Sequence, residues 1–342
     1  MLDLSRLGSV TDLAGGEAWS AGELGAAAAV RRAEFEDAAI GPGRRVVIAH
    51  GGTPGFFADL FAVWSVGACA ACVDPALTPG ELSTIADFTD AAAVIVEPGA
   101  AASALAPGSR VLGPARRAPA DALSALPGVA AEGDDPALIL FTSGTTGTPK
   151  GVVLSFAALA ARIALNHQHI PKHVYRRTLC PLPTHFGHGL IGNGLTPLLG
   201  GGDLYLLAEP GLAGIARLGA TVSEHAITFM SSTPALWRIA LKASPPPRPV
   251  LKRIGVGSAP VSPGLIQAIV EWSGTDDVWN MYGMTETANW AAGISARERP
   301  PEDGLVGRMW GGEAAVRRGD GTIAPHGGGE IVVRTPSLMR GF

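Results

Sequence analysis

Phe141-Thr142-Ser143-Gly144-Thr145-Thr146-Gly147-Thr148-Pro149-Lys150-Gly151 is the stretch on which the reading of this chain turns. The apolar residues Ala137 to Leu140 precede it, and an apolar-periodic segment begins near Ser155. A short apolar run, a turn of Gly, Thr and Ser, and then a helix is a layout that gathers backbone N–H groups and hydroxyls around a phosphate. The loop is not a Walker A loop, which needs Gly-x-x-x-x-Gly-Lys-Ser/Thr; here Pro149 precedes Lys150 and Gly151 follows it. It therefore reads as the polyphosphate loop of another kind of nucleotide enzyme.

Upstream, helices alternate with short apolar strands. Ser20 and Glu23 form a capping box that opens a helix running to about Ala39, where Gly41-Pro42-Gly43 stops it. Arg45–Ala49 reads as a buried strand, Pro54 to Gly67 as a helix, and Ala70–Val73 as the next strand. Thr78 to Glu81 caps a further helix before a strand at Ala92–Val96. The Ala/Pro/Gly stretch from Gly99 to about Asp134 reads as a connection between subdomains. The strand Ala137–Phe141, the loop and a helix from Ser155 to about His167 follow.

Downstream, a second run predicts strands at Thr178–Leu182, Asp203–Leu207, Ile227–Met230, Leu251–Val256 and Val278–Met281. Its helices are Leu212–Glu224, Pro234–Lys242 and Ser262–Trp272. From about Gly304 the pattern changes to strands Glu313–Arg317 and Glu330–Arg334 around a Gly319-Asp320-Gly321 turn. The fold class is α/β: two mostly parallel, helix-flanked sheets form adjoining subdomains over about 1–303. The start of a small, barrel-like β-rich subdomain follows over about 304–342.

Composition narrows the function. A chain of 342 residues with 47 % hydrophobic content folds around a substantial core. With 16 % charged residues and a net charge of −4, it has no basic field for nucleic acid and no polybasic segment for a membrane. The N-terminus lacks a cationic region followed by an apolar core, and the longest apolar run, Leu60 to Val73, is too short to span a bilayer. Three cysteines make no disulfide framework, and Cys69-x-x-Cys72 sits in an Ala-rich apolar run that reads as buried structure. A reduced, cytoplasmic protein is expected.

Two more motifs carry chemistry. Asn280-Met281-Tyr282-Gly283-Met284-Thr285-Glu286-Thr287 ends an apolar strand, where open α/β sheets bind ligands. It offers an aromatic face, an amide, a hydroxyl for a phosphate and the hard carboxylate oxygen that Mg²⁺ takes. Gly255-Val256-Gly257-Ser258-Ala259-Pro260 ends another strand, where glycines would let a flat ring approach the backbone.

In this order the three motifs resemble those of the acyl-adenylate-forming (AMP-binding) enzymes: acyl-CoA synthetases, peptide-synthetase adenylation domains and luciferases. Gly304-Leu305-Val306-Gly307-Arg308, Gly329-Glu330-Ile331 and Arg340-Gly341-Phe342 are similar to the family's lesser motifs. The resemblance implies that a carboxylate attacks the α-phosphate of Mg·ATP, giving acyl-AMP and pyrophosphate, before coenzyme A or a carrier-protein thiol takes the acyl group. It implies that Thr142, Ser143, Gly144, Thr145, Thr146, Gly147, Thr148 and Lys150 hold the β- and γ-phosphates. Gly257, Ser258 and Ala259 would flank adenine, Tyr282 would stack on it, and Asn280 would meet its amino edge beside Gly283. Thr285 would contact the α-phosphate and Glu286 would bind Mg²⁺, with Lys150, Thr285 and Glu286 as the catalytic set.

The family's large domain continues to an Arg-Thr-Gly-Asp-like segment and a lysine-bearing lid domain, and neither is found before Phe342. The expectation is an N-terminal large domain, 1–342, without its C-terminal lid: able to bind nucleotide and acyl group, but weakly active or inactive alone. The resemblance puts the acyl gate in Cys180 to Leu190, with His185 or Phe186 as the gate, and pocket walls at Ser232, Val256, Gly257, Gly283 and Met284. No Asp stands in that gate segment to hold an α-ammonium, so an aryl or aliphatic acid is expected rather than an α-amino acid. His188 reads equally as a pocket residue and as a plain surface or core histidine. His167, His169 and His173 read as a solvated helix end rather than a zinc site. An acyl-AMP ligase that loads a carrier protein and a catalytically silent ligand-binding domain are the alternatives.

Overall fold

Three sheets collect the strands in the computed structural model, which describes residues 2, 4–99, 105, 110–120, 133–142, 150–207 and 211–342. Two short strands, β1 (Val10–Asp12) and β2 (Ala18–Trp19), come first. Helix α1 (Ala21–Asp37) starts where Ser20 and Glu23 close the expected capping box, satisfying backbone N–H groups that a helix end leaves free. There follow β3 (Arg45–Ala49), α2 (Pro54–Ser65), β4 (Cys69–Cys72), α3 (Pro79–Phe88) and β5 (Ala91–Val96). Thr78 and Glu81 box the start of α3 in the same way. Next come β6 (Val111–Leu112), β7 (Pro136–Thr142) and β8 (Lys150–Ser155).

These strands make the first sheet, in the order β6-β5-β3-β4-β7-β8, parallel except for β8. Burial on both faces explains their unbroken apolar sequence. Val46 and Ile48 enter one core cluster, while Val47 and Ala49, on the opposite face, enter another. Two expectations fail here. The segment after Gly99 is not a connection between subdomains, because β6 and β7 both return to the sheet that β5 left. The loop is not followed directly by a helix either. β8 pairs antiparallel with β7, bringing Lys150 opposite Thr142, and α4 (Phe156–His169) begins only after it, capped by Ser155. Val152 and Leu154 are buried in one cluster and Val153 packs against another, the period-two pattern of a strand.

The chain then builds α5 (Lys172–Tyr175), β9 (Arg177–Cys180), a π-helical stretch His188–Leu195 and α6 (Thr196–Leu199). β10 (Asp203–Leu206), α7 (Gly211–Ala216), α8 (Leu218–Glu224), β11 (Phe229–Ser232), α9 (Pro234–Ala243) and β12 (Arg253–Gly257) follow. α10 (Pro263–Ser273), β13 (Val278–Met284), β14 (Asn289–Ser295) and β15 (Arg308–Met309) complete this part. The expected helix Leu212–Glu224 is broken at Arg217 into α7 and α8. The second sheet runs β15-β14-β13-β12-β11-β9-β10-β1-β2, so the N-terminal strands join a sheet otherwise built from residues beyond 176. β13 extends past Met281 because it pairs with β14, a strand the sequence reading did not assign. A third, antiparallel sheet holds β16 (Glu313–Arg317), β17 (Ile323–Ala324) and β18 (Glu330–Arg334), in the order β17-β16-β18.

One apolar cluster joins the two large sheets. It contains Ile48, Cys72, Leu140 and Leu154 from the first, Leu204 and Leu206 from the second, and residues of α1 and α2. Trp64 of α2 is fully buried and donates its indole N–H to Ala137 O of β7 at 2.8 Å. The strand β4 sends Cys69 and Cys72 to opposite faces, into different clusters. Residues three apart on a strand do so, and the C-x-x-C is therefore two separate buried thiols. No helix among the described residues is long and apolar enough to cross a membrane.

Burial pushes the Cys69 and Cys180 thiols up to about 12, so both stay protonated at pH 8. The native chain should leave all three thiols unreacted toward a colorimetric disulfide reagent at pH 8, and release three equivalents in guanidinium. A fast-reacting thiol in the native protein would contradict this packing.

Candidate active site

At the carboxyl ends of β12 and β13 lies a cavity of about 680 Å³. Ser258, Ala259, Asn280, Tyr282 and Gly283 line it, five residues that the resemblance assigns to nucleotide binding. Arg238, Ser262, Asp303 and Val306 line it as well, and sequence reasoning missed them. Asn280 donates its amide to Leu305 O at 2.7 Å, tying the 303–306 loop to the cavity wall. The glycines of β12 serve the sheet itself. A Cβ at Gly257 would lie 2.5 Å from Met281 O, and one at Gly255 2.5 Å from Ser231 Oγ. Their space is filled by neighbouring strands, not left open for a flat ring.

The second cluster is the turn that joins β13 to β14. Thr285–Thr287 form one 3₁₀ turn, and Ala288 and Asn289 then take left-handed backbone (φ +54° and +97°). Such conformations are costly for residues with a Cβ and persist where the surroundings over-determine them. Gly283 is required opposite, since its Cβ would meet Asn289 O at 2.1 Å. Thr287 Oγ1 accepts from Met284 N at 3.3 Å. Glu286 is half-buried, and its carboxylate has no hydrogen-bond or ion-pair partner among the described residues. A carboxylate left without a cation has the hard oxygen donors that Mg²⁺ takes.

Residues 339–341 strap this turn to the β7–β8 hairpin. Met339 N donates to Glu286 O at 2.8 Å, while Arg340 N donates to Val153 O and Val153 N to Gly341 O. The strand β8 that carries Lys150 is thereby fastened next to Glu286. Lys150 Nζ lies 5.2 Å from the centre of the exposed Phe342 ring. Ser143, Gly144, Thr145, Thr146, Gly147 and Thr148 lie outside the described residues; Thr142 ends β7.

The expected gate residues separate. His185 stands 3.7 Å from Asp74, and Phe186 is exposed. His188 is the residue that enters the second sheet. It bonds Ser231 Oγ through Nε2 at 2.7 Å and Ser258 Oγ through Nδ1 at 2.8 Å, with its ring edge-on to Trp290. Ser258 is left-handed (φ +67°), and the bond to His188 helps hold it. Ser232 pairs with Val256 in the sheet, but Val256 belongs to the core under α9 and α10. The end of α4 is not solvated as expected. His167 stacks on Tyr175 and His169 lies parallel to Trp310 at 4.7 Å, and burial lowers both pKa values.

Arg162 on α4 is fully buried and was missed. It reaches Thr287 O, Trp310 O, Thr335 Oγ1 and Ser337 Oγ. Burial lowers its pKa to about 10. The signal was present: Ala158, Leu159, Arg162, Ile163 and Asn166 form the buried stripe of α4, so Arg162 occupies an apolar position.

The chain belongs to the AMP-binding enzyme family, whose model matches residues 9–342. Among curated relatives, oxalate–CoA ligase from Arabidopsis thaliana is 32 % identical over 61 % of this chain and 41 % of its own length. Sulfoacetate–CoA ligase from Cupriavidus necator is 32 % identical over 67 % of this chain and 44 % of its own length. The chain thus spans less than half the length of these two relatives. A dimodular nonribosomal peptide synthase from Bacillus subtilis is 27 % identical over 89 % of the chain. The N-terminal domain of FACL13 from Mycobacterium tuberculosis has the same fold: TM-score 0.82, 22 % identity, 98 % of this chain and 87 % of that one. So does o-succinylbenzoate CoA synthetase from Bacillus subtilis, solved with its acyl-adenylate: TM-score 0.81, 19 % identity, 99 % of this chain and 68 % of that one.

Burial lowers the His188 pKa to about 3, so the ring is neutral between its two serines. An unfolded imidazole titrates at about 6.5, and below that pH the unfolded chain takes up a proton that the folded one refuses. Stability should therefore fall as pH drops from about 6.5 toward 3. The urea midpoint of His188→Gln, which cannot titrate, should decline less steeply over pH 6.5 to 4. Equal slopes would show that His188 is not held neutral.

Proposed function

We propose that this chain is the nucleotide- and acyl-binding part of an enzyme that activates a carboxylic acid with ATP and passes it to coenzyme A. The substrate carboxylate oxygen attacks the α-phosphorus; a new O–P bond forms, the P–O bond to pyrophosphate breaks, and acyl-AMP results. A thiolate then attacks the acyl carbonyl and AMP leaves. The observation that carries this reading is the juxtaposition of two hairpins. β8, which begins at Lys150, and the Thr285–Glu286 turn are strapped together by residues 339–341, and β13, which leads into that turn, lines the cavity.

In this reading the hairpin loop and Lys150 hold the β- and γ-phosphates, and Thr285 donates to the α-phosphate. Tyr282 stacks on adenine, with Ser258, Ala259 and Asn280 around it. Glu286 would hold Mg²⁺, which neutralises phosphate charge when bound. Displacement at phosphorus needs positioning and charge stabilisation more than covalent help, and these residues are of the types that supply both. His188 and Met284 are proposed to face the acyl group, whereas Ser232 shares the sheet face of Val256; the neutral imidazole between two serines suits an uncharged group beside it better than an ammonium. Similarity to two enzymes named as CoA ligases supports coenzyme A as acceptor. A carrier-protein thiol is the second reading, favoured by the match to a peptide synthase over most of the chain.

Calorimetry with non-hydrolysable acyl-sulfamoyl-adenosines tests this directly, the acyl group running from short aliphatic to aryl and to acids with a second anionic group. The folded chain should bind at least one, with affinity that varies more than tenfold across the panel, about 1.4 kcal/mol. ATP should bind more tightly with Mg²⁺ than without, and Glu286→Gln should abolish that difference. A folded protein that binds no analogue and no nucleotide would overturn the reading.

A further inference from the structure

We infer that Arg162 is a positioning residue for Glu286, holding the turn that carries this carboxylate in register with the phosphate-loop hairpin. The inference rests on the proposed role of Glu286 toward Mg²⁺.

The geometry is specific. Arg162 donates from Nε to Thr287 O at 3.3 Å, from Nη1 to Trp310 O at 3.3 Å, and from Nη2 to Ser337 Oγ at 2.5 Å and Thr335 Oγ1 at 3.4 Å. Every acceptor is neutral, and no carboxylate pairs with the guanidinium among the described residues. A buried cation without a counter-ion costs several kcal/mol after relaxation, so a core position on α4 is an expensive place for one. What it provides is a rigid fork of donors that gathers three separate segments, which no apolar residue does. Thr287 O also accepts from Ser337 Oγ at 2.9 Å, and Glu286 O accepts from Met339 N. The carbonyls of Glu286 and its successor are thus both held, next to the left-handed Ala288 and Asn289. Without the fork, that turn has a route to relax to ordinary backbone and swing Glu286 away. α4 follows β8 directly, so the same helix fixes both hairpins.

Three variants of the chain test this: Arg162→Met, Arg162→Lys and Ser337→Ala, each checked for folding by near-ultraviolet circular dichroism. Affinity for Mg·ATP and for metal-free AMP is measured by calorimetry. Arg162→Met should weaken Mg·ATP about tenfold while AMP changes less than twofold, because the metal carboxylate moves and the adenine wall does not. Arg162→Lys, which keeps the charge but loses the fork, should lose about threefold, as should Ser337→Ala. These two carry the decision if Arg162→Met does not fold. A merely structural role predicts a lower unfolding temperature with Mg·ATP and AMP weakened together, and that result overturns the inference; so does an unchanged Mg·ATP affinity in folded variants. Failure of the unmodified chain to bind any nucleotide would overturn the function proposed for the site as a whole, an outcome distinct from either.

Discussion

A single buried guanidinium with only neutral acceptors is the constraint around which the site is assembled. Arg162 cannot shed its charge at neutral pH even with its pKa lowered to about 10, and it cannot reach water. Its donors must be satisfied by whatever surrounds it, because an unmade bond to a buried charge costs more than an unmade bond to a neutral group. The surroundings are the Thr287 carbonyl, the Trp310 carbonyl and two hydroxyls at 335 and 337. Segments more than a hundred residues apart therefore have one arrangement that satisfies it. The chemistry of one side chain becomes the geometry of a site.

The same economy appears in the two hairpins. Strand–loop–strand geometry fixes Thr142 opposite Lys150 through the backbone ladder, a stronger restraint than a loop running freely into a helix. On the other side, β13 pairs with β14 through a register shift between Tyr282 and Gly283. A shift of that kind re-aims side chains locally, and bulges occur preferentially next to functional sites. Between the hairpins, residues 339–341 add main-chain bonds to both. Backbone, rather than long flexible side chains, fastens the ends of the two hairpins to each other.

Behind the hairpins lies an aromatic layer of Phe229, Trp279, Trp290 and Trp310, with His188 and His169 packed at its edges. Rings meeting edge to face fill space with defined orientation. Within that apolar wall, His188 is satisfied by two serine hydroxyls and needs no charge. A neutral polar bridge keeps hydrogen-bonding capacity inside the wall without the desolvation cost of an ion.

Local signals determined much of this protein by sequence alone. Both capping boxes form where Ser20/Glu23 and Thr78/Glu81 stand, because a cap depends on residues three apart. Strands Glu313–Arg317 and Glu330–Arg334 form where expected and pair with each other, but the turn at Gly319–Gly321 joins the first of them to β17, a strand the sequence reading did not assign. The α/β class and the AMP-binding family were legible because apolar periodicity and motif order survive without coordinates. Tertiary structure alone decided what depends on partners distant in the chain. β8 and β14 are strands because β7 and β13 lie beside them. His188, and not His185, meets the serines because a π-helical stretch turns it inward. Arg162 looked like one polar residue on an apolar helix face. Its meaning came from acceptors 125 to 175 residues away, and no window of sequence contains them.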